Sequence, residues 1–147
     1  MQTLRAMRQL VRQFRTDPVI RQAATNLIFL TPEKDEYSEA EAIFHSVRDG
    51  IRYVKDVHDV ETLSTPTITL AGRIGDCDDQ AVLLASLLEA VGYPTRFVIE
   101  GYNVPGNFEH VYIESLVFGQ WIPMDATENN AMGWSPDNVV AKATEAV

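Results

Sequence analysis

The chain has 147 residues, of which 46% are hydrophobic and 22% charged, and its formal net charge is −9 at pH 7. This size and composition predict a single globular domain over residues 1–147. The negative charge disfavours nucleic acid and anionic membranes as partners, because both attract clustered positive charge. No apolar run is long enough to span a bilayer, and the N-terminal segment lacks the apolar core of a secretory signal. We therefore expect a cytoplasmic protein.

The first third of the chain predicts helices. Asp17 and Pro18 fit the N-cap and first position of a helix. Ser38 is followed three residues later by Glu41, a spacing typical of a capping box at the start of another helix. Together with the apolar periodicity, these signals predict three helices, over residues 3–15, 18–29 and 37–47.

The middle of the chain predicts a long loop followed by a buried helix. Residues 55–74 lack strong periodicity, and long loops inside compact domains are often functional. Nine of the eleven residues over 81–91 are apolar, which predicts a helix buried on nearly all sides. Asp76 fits its N-cap, and Gly92 fits its end.

The last third of the chain predicts strands. Period-2 runs favour strands over residues 95–102, 110–115 and 120–124. Beyond them we expect mostly loop, with a short final helix over residues 136–144. Helices followed by strands indicate an α+β fold, in which the central buried helix packs on an antiparallel sheet and additional helices lie at the N-terminus.

Cys77 is the sole cysteine, and it opens the buried helix. A thiol at a helix N-terminus is acidified by the helix dipole. Asp78 and Asp79 oppose that effect, and the sequence leaves the balance open. Taken alone, a single cysteine is more often a small buried hydrophobe. We interpret the two aspartates as compensation of the helix dipole rather than as a metal site.

His110 and Asp125 are predicted to meet across a hairpin. If residues 116–119 form its loop, Ser115 pairs with Gln120 and His110 lies opposite Asp125. A two-residue loop at 117–118 gives the same register, whereas a loop of three or five residues places the two side chains on opposite faces. Directly opposite side chains have Cβ atoms about 4.5–5.5 Å apart, so an imidazole and a carboxylate there can hydrogen-bond. Taken singly, the histidine fits a strand position and the aspartate a turn.

The three side chains together predict nucleophilic catalysis. Cys77 would attack as a thiolate, and His110 would accept its proton and return it to the leaving group. Asp125 would hold the productive tautomer of the imidazole and stabilise its charged form. Metal binding is disfavoured, because one cysteine and three scattered histidines do not have the spacing of a structural zinc site.

These residues resemble the transglutaminase-like superfamily, whose core is a papain-like cysteine protease fold. Four blocks occur in the family's order: GDC at 75–77, GYPTR at 92–96, HVYIE at 110–114 and WIPMDAT at 121–127. The resemblance as a whole covers about residues 40–127. The form of the first block resembles small bacterial and phage-encoded members. The resemblance implies a catalytic core over residues 37–127, with an N-terminal helical extension at 1–36 and a C-terminal tail at 128–147.

The resemblance also implies acyl transfer at an amide bond through a thioester, with Cys77, His110 and Asp125 as the catalytic residues. We expect a cysteine peptidase or amidase acting on a peptide or protein substrate. Two alternatives are a transamidase that cross-links proteins and a non-catalytic phage or bacterial assembly protein, which could be virion-associated. A homo-oligomer is compatible with either.

No metal and no other cofactor is expected, because the calcium dependence of animal transglutaminases is tied to regions absent here. The backbone N–H of Cys77 is a candidate donor to the oxyanion of the reaction. Further candidates for oxyanion or substrate binding are Tyr53, Thr69, Asp76 and Trp121.

Overall fold

The computed structural model describes residues 4–55, 63–101, 110–136, 139 and 141–147. The helices over these residues are α1 (Leu4–Phe14), α2 (Pro18–Ile28), α3 (Glu36–Gly50), α4 (Pro66–Gly72) and α5 (Cys77–Ala90). The strands are β1 (Arg52–Tyr53), β2 (Ile74–Gly75), β3 (Thr95–Gly101), β4 (His110–Val117), β5 (Gln120–Met124) and β6 (Ala141–Ala146). None of these helices has the length and apolar character needed to cross a membrane.

The strands form one main sheet and one short pair. β3 to β6 make a four-stranded antiparallel sheet in the order β5-β4-β3-β6, and β1 pairs with β2 in parallel. The predicted α+β fold, with a helix packed on an antiparallel sheet, is confirmed.

Helix α5 lies at the centre of the core. It packs against α1, α2, α3 and α4, and against strands β3 and β4 of the sheet. Its start is fixed by a capping box in which Asp76 and Asp79 each accept a hydrogen bond from the other's backbone N–H. At its end the chain turns at Gly92, whose φ of 94° suits glycine. The predicted N-cap at Asp76 is confirmed.

The N-terminal helices agree with the predictions except at the start of α3. Asp17 caps α2 as expected, accepting from the backbone N–H of Val19 at 2.9 Å. The predicted capping box between Ser38 and Glu41 is wrong, because the N-cap is Asp35. Its carboxylate accepts from both the backbone N–H and the hydroxyl of Ser38, so it satisfies the helix start one turn earlier.

A short helix interrupts the predicted loop over residues 55–74. Helix α4 starts with Pro66 at its first position after Thr65, and it ends at Arg73 in the left-handed conformation with φ of 55°. Seven residues make only two turns, which is too short for a periodic apolar pattern, so the prediction of a continuous loop is wrong here. Residues 56–62, which include His58, lie outside the described residues. So do residues 102–109, which include the last residue of the predicted strand over 95–102.

The predicted final helix over residues 136–144 is also wrong. Ala141–Ala146 form β6, which pairs antiparallel with β3 at the edge of the sheet, with Ala143 opposite Ile99. Its sequence, AKATEA, favours a helix by intrinsic propensity. Pairing with the exposed edge of β3 overrides that preference, as tertiary context often does. The end of the chain is thus part of the sheet.

The β4–β5 hairpin has a two-residue turn at Phe118 and Gly119, both with positive φ. Val117 therefore pairs with Gln120, and the predicted pairing of Ser115 with Gln120 is wrong by two residues. An even shift keeps every side chain on its predicted face of the sheet. Positive φ at both central residues is typical of a type I′ turn, which matches the twist of a hairpin. Phe118 is unusual there, because this conformation favours asparagine, aspartate or glycine.

Gly75 leads into α5 at a point where the chain is closely packed. A Cβ atom there would lie 2.8 Å from Cβ of Asp79 and 3.3 Å from Cγ2 of Thr69. We expect Gly75→Ala to lower the free energy of unfolding by about 1–3 kcal/mol, because neither the capping residue nor α4 can easily move. Urea denaturation followed by circular dichroism measures this.

Gly72→Ala is the matched control. Its nearest neighbour would be Cγ2 of Ile74 at 3.8 Å, an ordinary contact. The change should therefore stay within about 0.5 kcal/mol. Equal effects of the two substitutions would show that the packing around Gly75 is not tight.

Candidate active site

Cys77 is the first residue of α5 and lies half-buried beside strand β4. Its sulfur is 3.6 Å from Oδ1 of Asp78, and it accepts a hydrogen bond from the backbone N–H of Val111. Because Cys77 is at a helix start, its own backbone N–H belongs to the first four, which have no intrahelical acceptor. The site therefore has a thiol and a candidate oxyanion donor on the same residue.

Val111 can donate to the sulfur because β5 is short. Ile113 pairs with Met124, the last residue of β5. Alternate residues of a strand direct their N–H groups to the same side, so the N–H of Val111 points past the end of β5. The Cys77 sulfur occupies that place.

His110 and Asp125 are hydrogen-bonded, as predicted. The His110 Nε2 atom lies 2.8 Å from Oδ2 of Asp125, and the two side chains are only 17% and 4% exposed. The contact is diagonal rather than directly opposite, because the register differs by two residues from the predicted one. With Nε2 engaged by the carboxylate, Nδ1 is the nitrogen left to exchange a proton with a thiol.

Asp125 is itself held by its neighbour. Its Oδ1 atom accepts from the hydroxyl of Thr127 at 2.7 Å and from the Thr127 backbone N–H at 3.2 Å. These bonds turn the chain away from the sheet directly after β5. The carboxylate is therefore fixed on both oxygens before any substrate is bound.

A small cavity joins the thiol and the carboxylate. Its volume is about 10 Å³, room for roughly one water molecule. Cys77 and Asp125 both line it, together with Gln80, Ala81, Leu84, Val111, Tyr112, Met124, Ala126 and Thr127. The structure thus brings the nucleophile candidate and the orienting acid to one place. The expected approach of the His110 ring to the sulfur stays a prediction.

The balance of charge at the thiol, which the sequence left open, favours the protonated form. Burial raises the pKa of Cys77 to about 12, and the negative charges of Asp78 and Asp76 act in the same direction. The hydrogen bond from Val111 lowers this pKa, but by less than burial and Asp78 raise it. At neutral pH the resting thiol therefore carries its proton.

The His110–Asp125 pair favours the charged form of the imidazole, whereas the thiol is kept neutral. Burial alone would lower the pKa of His110, but the hydrogen bond and charge of Asp125 outweigh it, helped by Glu100 and Glu128, so the pKa is raised. Burial would likewise raise the pKa of Asp125, yet the bonds from His110 and Thr127 lower it. The pair is thus suited to holding a proton on His110 beside an ionised Asp125.

Tyr53, one of the further predicted site residues, interacts electrostatically with Cys77. Burial raises the pKa of its hydroxyl, and so do the charges of Cys77, Asp76, Asp125 and Asp78. The residue is 41% exposed. Its role in binding the oxyanion or the substrate stays a prediction.

Thr69, Asp76 and Trp121 have other partners. The Thr69 hydroxyl donates to the Thr65 carbonyl within α4, and the Asp76 carboxylate caps α5. Trp121 lies opposite Leu116, about 13 Å along β5 from Asp125, where its ring stacks 4.3 Å from the Arg96 guanidinium carbon. Asp76 also acts on the thiol through its charge, whereas no contact of Thr69 or Trp121 with the thiol is found among the described residues. The predicted roles of all three are untested.

Sequence reasoning missed Gln80 and Glu100. Gln80 is buried, lines the cavity, and donates from Nε2 to the Ile51 carbonyl at 3.3 Å, which ties α5 to the start of β1. Its position three residues after Cys77 on a helix could have identified it. Glu100 is buried beside His110, and the alternating pattern of β3 gave no sign of its burial.

The raised pKa of His110 predicts a pH dependence of stability. A folded-state pKa above the unfolded value of about 6.5 means that the folded chain binds the proton more tightly. The stabilisation is thus complete below pH 6.5 and is lost as the pH rises through the folded pKa. His110→Gln should therefore show a smaller fall in the free energy of unfolding between about pH 6 and pH 8, measured by urea denaturation. Parallel pH curves for the two proteins would contradict the assignment.

Comparison with known families gives one match. The profile of the transglutaminase-like superfamily matches residues 23–126, more than half of the chain and a range that includes Cys77, His110 and Asp125. None of the curated proteins compared with this sequence matches it.

Several solved structures share the fold at low sequence identity. A "putative cysteine protease" from Cytophaga hutchinsonii is 22% identical, with a TM-score of 0.62 over 85% of this chain and 42% of its own. A "putative protease" from Parabacteroides distasonis is 14% identical, with a TM-score of 0.66 over 84% of this chain and 26% of its own. The present chain thus spans less than half the length of either.

Calcium-bound LapG from Legionella pneumophila is 16% identical, with a TM-score of 0.56 over 94% of this chain and 81% of its own. The described residues of the present chain contain no group of three or more His, Cys, Asp or Glu side chains able to hold a metal ion. The calcium of LapG is therefore not carried over, and independence from metals stays a prediction. The family match and the shared fold agree with the geometry of the site, and the chain belongs to the transglutaminase-like superfamily.

Proposed function

We propose that this protein is a cysteine peptidase or amidase that cleaves amide bonds through a thioester. The observation that carries the proposal is the hydrogen bond between His110 and Asp125. It lies at the start of β4, next to Val111, whose backbone contacts the Cys77 sulfur. This chemistry requires an oriented imidazole that can reach a thiol, and the buried His110–Asp125 pair on the strand next to the start of α5 supports it.

The proposed reaction starts from a neutral thiol. His110 takes the proton of Cys77 as the sulfur attacks the substrate carbonyl carbon, because the site stabilises a proton on the imidazole rather than an isolated thiolate. The carbonyl becomes an oxyanion that the backbone N–H of Cys77 can bind, with the Tyr53 hydroxyl as a second donor. The C–N bond then breaks, and the leaving amine takes the proton from His110.

Hydrolysis completes the cycle. His110 accepts a proton from water as the water oxygen attacks the thioester carbonyl. The C–S bond breaks, the carboxylic acid product leaves, and His110 returns the proton to the sulfur of Cys77. Throughout both halves Asp125 remains ionised and keeps the imidazole oriented, which its lowered pKa supports.

A non-catalytic assembly protein is the second candidate, and two observations favour it. The thiol is half-buried with its pKa raised to about 12, and the cavity beside it holds about one water molecule. A substrate carbonyl would need more room than this. Under this alternative Cys77 is a packing residue and the His110–Asp125 pair is structural.

A cytoplasmic location and a peptide or protein substrate also remain proposals.

The test uses peptide libraries and peptide probes that carry a thiol-reactive group, analysed by mass spectrometry. We expect cleavage and probe capture on Cys77, with both abolished by Cys77→Ala. His110→Asn and Asp125→Asn should each lower the rate of capture by a factor of about 10² to 10⁴. Denaturation of each variant checks that the fold is intact.

Added amines and chelators separate the remaining alternatives. Products that contain the amine in place of the acid would identify a transamidase, and we expect the acid. A chelator should leave the rate unchanged if no metal is needed. Probe capture that is slow in the native protein and unaffected by His110→Asn would overturn the proposal and favour the assembly protein.

Asp78 provides a direct test of the electrostatics at the thiol. Its carboxylate raises the pKa of Cys77, second only to burial. Asp78→Asn should therefore lower that pKa and accelerate iodoacetamide labelling at pH 7, since only the thiolate reacts. Asp49→Asn, an equal change of net charge at an exposed position far along the sequence, should leave the labelling rate unchanged. Similar effects of both substitutions would mean that Asp78 does not act on the thiol directly.

A further inference from the structure

Glu100 on β3 is a buried carboxylate that the proposed chemistry does not yet use. Glu100 is 1% exposed. Burying a carboxylate to this degree costs free energy unless the group is paired. One oxygen, Oε1, accepts a hydrogen bond from the Tyr112 hydroxyl at 2.6 Å. The other, Oε2, is buried without a hydrogen-bond partner among the described residues.

The register of the sheet places Glu100 directly beside His110. The two residues are opposite each other in the β3–β4 pair, so they share a face and their Cβ atoms are about 4.5–5.5 Å apart. Tyr112 lies on the same face, with its ring centroid 6.0 Å from that of His110. Since β4 lies between β3 and β5, the imidazole has Glu100 on one side and Asp125 on the other.

We propose that Glu100 is a positioning residue whose buried carboxylate stabilises the protonated imidazole of His110 from the β3 side. Asp125 already fixes the orientation of the ring through Nε2. Glu100 adds negative charge without a hydrogen bond to the ring, and the Tyr112 hydroxyl keeps that charge in place. The His110 imidazole can then hold the Cys77 proton while the sulfur is bonded to the substrate.

The charges that face His110 support this assignment. They come from Asp125 and Glu128, which follow β5, and from Glu100 on β3; the uncharged phenol of Tyr112 is the neighbour on its own strand. All three carboxylates raise the pKa of His110, against the effect of burial. Glu100 and Asp125 are both buried, whereas Glu128 is exposed, so solvent screens Glu128 most and the two buried carboxylates little.

The inference rests on the proposed catalytic role of His110, but its test does not require turnover. The imidazole is titrated by NMR in the Cys77→Ala background, with His110→Asn used to assign its resonances. Glu100→Gln keeps an acceptor for the Tyr112 hydroxyl and removes only the charge. We expect it to lower the His110 titration midpoint by about one pH unit.

Two further variants separate charge from structure. Tyr112→Phe removes the hydroxyl but not the carboxylate of Glu100, so the His110 midpoint should stay the same or fall by less than in Glu100→Gln. Glu114→Gln removes a different buried carboxylate from the same face, one that pairs with Arg96 at 2.6 Å and is absent from the charges that act on His110. It should leave the midpoint unchanged.

An unchanged midpoint in Glu100→Gln would overturn the inference, as would an equal fall in Tyr112→Phe. If Glu100→Gln does not fold, Glu100→Asp keeps the charge and should keep the raised midpoint, and a midpoint as low as that of a free histidine would be decisive against it. With Cys77 present, the acidic limb of probe capture should move to lower pH in Glu100→Gln. A shifted NMR midpoint without any probe capture would instead show that Glu100 acts on His110 while the proposed catalytic function fails.

Discussion

The burial of helix α5 is the constraint on which the rest of the structure depends. The helix has apolar residues on nearly all sides, so four helices and the sheet must surround it to remove them from water. Residues 78–88 of the helix are all buried, and Cys77 at its start is half-buried. Asp76 and Asp79 fix where the first turn begins, and Cys77 follows at once. The position of the sulfur is therefore set by the core and not by a flexible loop.

The sheet provides the complementary half of the site, and the two halves differ in their electrostatic preference. Burial and Asp78 keep the Cys77 thiol neutral, whereas the carboxylates around His110 favour a charged imidazole. In the proposed mechanism, transfer of a proton from Cys77 to His110 would therefore be disfavoured by the surroundings of the sulfur and favoured by those of the ring. Under the same proposal, a bound substrate with an electrophilic carbon would complete the transfer, and until it binds the neutral thiol would be protected from unwanted reaction.

Local and periodic features could be predicted from the sequence. The apolar pattern and Asp76 identified α5 and its start. A hairpin loop with an even number of residues placed His110 and Asp125 on one face of the sheet, although the predicted register was wrong by two residues. Features that depend on distant contacts could not be predicted. The final strand has a helix-favouring sequence that only the edge of β3 overrides. Glu100 was missed because a glutamate in a strand normally faces solvent, and its burial arises from the assembled sheet.

The end of β5 defines the place of the thiol. The bonds between Asp125 and Thr127 turn the chain outward, so the backbone N–H of Val111 has no strand opposite it and donates to the sulfur. Cys77 thus occupies the position that a carbonyl oxygen of a longer β5 would take. If β5 continued by two residues, the backbone carbonyl of Ala126 would accept the hydrogen bond from Val111 and displace the thiol. The length of the edge strand β5 therefore determines where the thiol lies, and Asp125 at its end also fixes the His110 ring through a hydrogen bond.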